Sequence, residues 1–129
     1  MPRRAEPTAA IAGSVFLRAI RGEDQGKGWD LDAGQVYVLG RSRRCNVRLT
    51  DQTVSGAHAR VECQQGVWLI TDLRSSHGTR VNEQKILAAK PLFDRDRIQL
   101  GKSLLEFRQY EQLAQADLAE IARDVELLE

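Results

Sequence analysis

From Val15 to Gln109 the apolar residues come in short bursts separated by turn formers, a pattern of many brief strands rather than of helices. The bursts predict strands at VFLRAI (15–20), QVYVLG (35–40), NVRL (46–49), AHARVEC (57–63), VWLITDL (67–73), TRVN (79–82), RIQL (97–100) and SLLEFRQ (103–109). An all-β sandwich or barrel is the economical architecture for such a series. In AHARVEC, Ala57, Ala59, Val61 and Cys63 alternate with His58, Arg60 and Glu62, so the first set is expected to face the core and the second the solvent. VWLITDL is apolar on both alternations, which predicts a strand with neighbours on both sides and Trp68 as a core anchor. Gly22, Gly26, Gly28 and Gly34 punctuate the stretch between the first two predicted strands, which reads as a mobile loop.

After Gln109 the sequence YEQLAQADLAEIARDVELLE has no glycine or proline, and Leu118, Ile121, Val125 and Leu128 fall on one stripe of a helix. That C-terminal amphipathic α-helix is expected to pack back on the domain or to lead out as a linker toward an effector domain or a dimer partner; the heptads are too few for a coiled coil to be read from them. The chain therefore divides into an N-terminal arm (1–14), a β domain (15–109) and a helix or linker (110–129), within a length of 129 residues that suits one compact domain with an appendage.

The formal net charge of +1 conceals an asymmetry. Glu111 to Glu129 carry six acids against one arginine, leaving 18 basic against 12 acidic residues in 1–110. A basic body suits an anionic partner, although scattered solvated charges produce the same excess. Arg43, Arg44, Arg48, Arg60, Arg74 and Arg80 crowd one half of the chain, but no aromatic residues are interleaved with them for base stacking, so no nucleic-acid partner is expected. With only Cys45 and Cys63, no disulfide framework is expected, and neither a secretory signal nor a membrane-spanning run is apparent. A cytoplasmic setting without membrane attachment follows as the expectation.

The polar cluster SSHGT (75–79) admits three chemistries. Ser55, His58 and Asp72 are the residue types of a hydrolase triad, yet Ser55 lies outside a G-x-S-x-G elbow and close to His58, so catalysis is not expected. His58, His77, Cys45 and Cys63 lack any C-x-x-C or H-x-x-x-H pair that would pre-set two metal ligands, so neither a metal nor another cofactor is expected. The third chemistry is anion binding. Gly40-Arg41, Thr53-Val54-Ser55 and Ser75 to Thr79 all fall at predicted strand ends, where the loops of a sandwich converge. Together they offer a guanidinium, several hydroxyls and exposed backbone N–H groups, the donor set for a phosphate dianion.

The ordered matches G-R at 40–41, S-x-x-H at 55–58 and D-L-x-S-x-H-G-T-x-V-N at 72–82 strongly resemble the forkhead-associated (FHA) domain, supported by Trp68-x-Ile70-x-Asp72-Leu73 and Ile98-x-Leu100-Gly101. The resemblance covers about residues 15–109. It implies an FHA-like β-sandwich of about eleven strands that binds phosphothreonine-containing proteins or peptides through loops at one end and is not an enzyme. By that similarity Arg41 and Ser55 are expected to contact the phosphate, and Ser76 the phosphate or the peptide. Gly56 is expected to contribute only backbone, and Thr53 matches a position that often reads the third residue after the phosphothreonine. Gly40, His58, Gly78, Thr79 and Asn82 are expected to support the loops. His77 departs from the family's usual asparagine; imidazole offers one donor and one acceptor at a different spacing, so its peptide contact is expected to differ. The competing function is a phosphate-independent scaffold or oligomerisation module with a degenerate pocket, for which Gly56 and His77 are the motivation.

Overall fold

In a computed structural model, residues 14–110 are described. The expected C-terminal helix and residues 1–13 of the N-terminal arm lie outside the described residues, among which there is no helix and so none long and apolar enough to cross a membrane. Val15–Gln109 form one compact unit. Eleven strands are present among the described residues: β1 Ser14–Arg21, β2 Gly28–Leu31, β3 Tyr37–Gly40, β4 Val47–Arg48, β5 Ala59–Gln64, β6 Val67–Asp72, β7 Thr79–Val81, β8 Gln84–Lys85, β9 Lys90–Pro91, β10 Arg97–Leu100 and β11 Ser103–Tyr110. They form two sheets, β2-β1-β11-β10-β7-β8 and β4-β3-β5-β6-β9, packed as a sandwich.

Each long strand alternates as a sandwich strand must. In β10, Ile98 and Leu100 are buried and Arg97 and Gln99 exposed; in β11, Leu105 and Phe107 point inward. The core unites both sheets through Leu17, Leu39, Val61, Ile70, Ile98 and Phe107, all with no exposed surface. Trp68 of β6 and Phe107 of β11 meet across the sandwich with ring centroids 6.3 Å apart and a tilt of 58°, within the range favoured by aromatic quadrupoles. Trp68 is thus a core anchor, and β6 lies between β5 and β9.

Three expectations require correction. The glycine-punctuated loop contains β2, where Gly28 to Leu31 pair with Arg18 to Val15 in a hairpin register. Its closing turn is held by Asp24, whose buried carboxylate accepts from Lys27 Nζ (2.7 Å), Thr50 N–H (2.8 Å) and the Thr50 hydroxyl (2.8 Å). In the segment read as AHARVEC the strand begins only at Ala59, so the alternation does not extend back to 57 and 58: Ala57 is exposed and His58 completely buried. Finally, Cys63 is only partly buried at the edge of the core, whereas Cys45 is buried.

Register gathers the site. Leu39 pairs with Ala59 and Ala59 with Asp72, while Gly40 lies beside Arg48 in the parallel β3–β4 pair. In the other sheet Thr79 pairs with Leu100. The β3–β4, β4–β5 and β6–β7 loops and the β10–β11 turn therefore emerge at one end of the sandwich.

Candidate anion-binding site

The centre of this end is a close approach between the β3–β4 and β4–β5 loops. Arg41 N–H donates to the Ser55 carbonyl (3.0 Å), and both Ser42 N–H (3.1 Å) and the Cys45 thiol (3.0 Å) donate to the Gly56 carbonyl. Burial pushes the Cys45 thiol above its ordinary pKa, which keeps it a neutral donor. Gly40 permits the approach: a Cβ there would fall on the Gly56 carbonyl oxygen and 2.9 Å from Cys45 Sγ.

Arg41 is exposed, but its root is fixed, because Nε donates to the Val54 carbonyl (3.1 Å). Its two outer guanidinium nitrogens have no protein partner among the described residues. One residue further on, Ser55 Oγ accepts from Ser76 N–H (2.9 Å), so the Ser55 hydroxyl proton is left to donate outward. Arg41, Ser55 and Ser76 are thereby linked through backbone and hydroxyl into one rim, with Ser76 and Gly56 both exposed on it.

His58 ties three segments together from beneath. Ser55 N–H donates to Nδ1 (3.0 Å); an amide can only donate, so the ring proton resides on Nε2, which donates to the Gly78 carbonyl (2.8 Å). Its own backbone bridges Leu39 and Leu73. Burial holds its pKa below the ordinary value of 6.5, outweighing the upward pull of the Gly78 carbonyl and of the Asp72 and Asp51 charges. The folded state therefore binds this proton less readily than the unfolded chain. Stability from the neutral ring is complete above the unfolded value of 6.5 and is lost as pH falls through the folded one. Urea midpoints are expected to decline from pH ~7.5 to ~5, before the carboxylates titrate. The decline should persist in His77→Asn; its disappearance there would assign the effect to the wrong imidazole.

Asp72 organises the β6–β7 loop, accepting from the Ser75 hydroxyl (2.6 Å), Ser75 N–H (3.1 Å) and the Thr79 hydroxyl (2.7 Å). Burial raises its pKa, but these donors outweigh it and the carboxyl stays below its ordinary range. Asp51 does the same for the β4–β5 loop, accepting from Thr53 N–H (2.8 Å), the Thr53 hydroxyl (2.7 Å) and the Ser103 hydroxyl (2.8 Å), again with donors prevailing over burial. The sequence pattern singles out Asp72 only as a triad residue type and as part of the motif, and Asp51 not at all, although Asp51-x-Thr53 and Asp72-x-x-Ser75 are spacings at which a carboxylate caps its own loop.

Thr53 is consequently not a free hydroxyl. It donates to Asp51 and accepts from Lys102 N–H (2.8 Å), so its proton is not available to a ligand. His77 is exposed beside it on a groove of about 270 Å³ that also includes Gly78, Arg80 and Lys102. Gly78 is buried at φ +80°, and Thr79 is wholly buried. Asn82 is not brought to this end: it sits past the other end of β7, bonding Asp96 (2.9 Å) and Arg97 N–H (3.0 Å).

This geometry favours binding over nucleophilic chemistry. Both nitrogens of His58 are engaged by backbone, so His58 is not placed as a base for Ser55 Oγ, and Asp72 is directed to Ser75 and Thr79. His58, His77, Cys45 and Cys63 do not assemble, and no group of three metal-binding side chains occurs among the described residues. An exposed guanidinium and a hydroxyl with its proton uncommitted, on a frame of fixed amides at one end of a β-sandwich, make a donor set suited to an anion.

The chain belongs to the FHA domain family, whose model matches residues 37–101. The oxoglutarate dehydrogenase inhibitor of Corynebacterium glutamicum is 34% identical over 96 residues, covering 74% of this chain and 66% of that protein. A solved structure described as a study of phosphothreonine-dependent FHA domain interactions matches with a TM-score of 0.67 and 33% identity, over 74% of this chain and 95% of that one. The FhaA FHA domain complexed with the intracellular domain of Rv3910 matches at TM-score 0.66 and 32% identity, over 74% and 100% of the two chains. The chain spans from 25% to 66% of the length of curated relatives it matches.

Proposed function

We propose that this protein is a phosphothreonine-dependent protein- or peptide-binding module of signalling, acting by recognition and not by catalysis. The observation that carries the reading is Arg41: its root is bonded to Val54, while its outer nitrogens remain available beside the Ser55 hydroxyl. Arg41 and Ser55 grip the phosphate, Ser76 contacts the phosphate or peptide, and Gly56 adds backbone donors. His77 and Thr53 contact the peptide next to it, while Gly40, His58, Gly78 and Thr79 hold the loops and Asn82 braces the far end of β7. The recognition domain spans residues 15–109, the strands at its two ends reaching Ser14 and Tyr110, with the residues before it as an arm and those after it as a connector to an effector domain or dimer partner. Its two free cysteines accord with a reducing cytoplasm.

Calorimetry with one peptide sequence carrying threonine, phosphothreonine, phosphoserine or glutamate tests this reading. Only the phosphorylated forms are expected to bind well, with phosphoserine weaker by roughly tenfold or more for lack of one methyl. Glutamate is a poor mimic because phosphate carries about −1.5 to −2 charges at neutral pH. Equal binding of the unphosphorylated peptide would turn the reading toward the phosphate-independent scaffold.

A further inference from the structure

Beside the phosphate rim lies a concentration of positive charge that the fold itself does not use. Arg80 and Lys102 line the groove of about 270 Å³ with His77 and Thr53, and no carboxylate lines it. A third cation stands at its margin: the stem of Lys85 lies along Gly78, with Nζ 3.6 Å from where a Cβ on Gly78 would stand. Arg80 of β7 and Lys85 of β8 are direct cross-strand partners. Like charges placed opposite one another destabilise a strand pair. Neither has an acidic partner among the described residues, nor has Lys102; Arg80 makes only a long bond (3.4 Å) to the Glu83 carbonyl. Acidic Glu23 and Asp51 line the adjoining depression past Lys102, but Asp51 is committed to Thr53 and Ser103.

We propose that Arg80, Lys85 and Lys102 form a second reading site, selecting phosphothreonine peptides with aspartate or glutamate close to the phosphorylated residue. The proposal rests on the phosphothreonine reading. His77 and Gly78 line the groove and directly follow Ser76 of the rim, and an extended peptide advances about 3.3 Å per residue, so a few residues bring an acidic side chain from one site to the other. The Thr53 hydroxyl, satisfied on both sides, leaves the charge reading to these three cations.

The test compares three phosphothreonine peptides by calorimetry, with alanine flanks, with glutamates before the phosphothreonine and with glutamates after it, alongside the two glutamate peptides without phosphate. One glutamate peptide is expected to bind on the order of tenfold tighter than the alanine peptide, from several exposed ion pairs acting together. Most of that advantage should vanish in an Arg80→Ala/Lys85→Ala/Lys102→Ala variant and shrink between about 0.05 and about 0.3 M salt. Arg97→Ala, at the opposite end of β10, should preserve it. Thermal denaturation of the triple variant checks its fold, since all three side chains are exposed. No gain from either glutamate peptide, or a gain that survives the triple variant, overturns the second site while leaving phosphothreonine recognition standing. If the alanine peptide fails to bind and glutamate peptides bind equally with and without phosphate, both readings fall.

Discussion

Arg41→Ala is expected to weaken phosphothreonine-peptide binding by about a hundredfold or more, with little change in thermal stability. Charge-assisted hydrogen bonds are each worth about 1.5–3 kcal/mol, and a guanidinium makes two to a phosphate; losing about 2.7 kcal/mol is a hundredfold. The stability cost is small because Arg41 is exposed and gives up only its Nε bond to Val54. Arg41→Lys should recover only part of the affinity, since an ammonium supplies charge without the planar fork. Calorimetry of the three proteins with one peptide reads this directly, and undiminished binding by Arg41→Ala would remove Arg41 from the site.

Gly40→Ala is expected to destabilise the fold by roughly 3 kcal/mol or more, and to impair binding with it. The added methyl collides with the Gly56 carbonyl, which cannot yield without loosening its bonds from Ser42 and Cys45. Overpacking typically costs about 1–3 kcal/mol and each weakened hydrogen bond about 1 more. Gly56→Ala, on the other side of the same contact, is the control: nothing stands within 4 Å of its Cβ and its φ is not positive, so stability should move by less than about 0.5 kcal/mol. Urea denaturation of the pair measures the difference. Equal midpoints would mean that the two loops do not meet as described.

The long strands were legible because their alternation survives in the sequence: RIQL and SLLEFRQ show it almost residue for residue. What escaped were elements whose formation depends on partners. β2 is four residues beginning with glycine, and it is a strand because β1 supplies its register. β8 and β9 have two residues each, too short for any period to show. Missing β8 concealed the Arg80–Lys85 juxtaposition, which exists only once those strands pair. His58 was assigned to the wrong face because a turn before Ala59 resets the alternation; its role as a brace came from the family motif, not from the pattern. The rim residues Arg41, Ser55 and Ser76 were legible as motif, yet the order among them was not. That the Thr53 hydroxyl is committed to Lys102 as well as to nearby Asp51, and that Asn82 lies away from the rim, are facts of three-dimensional bonding across 49 and 15 residues of chain respectively.

The most direct measurement is a crystal structure with an alanine-flanked phosphothreonine peptide. Phosphate oxygens are expected about 2.7–2.9 Å from the outer nitrogens of Arg41 and within hydrogen-bonding reach of Ser55 Oγ, with the Arg41 Nε bond to Val54 retained. A phosphate bound elsewhere on the sandwich, with Arg41 extended into solvent, would contradict this placement.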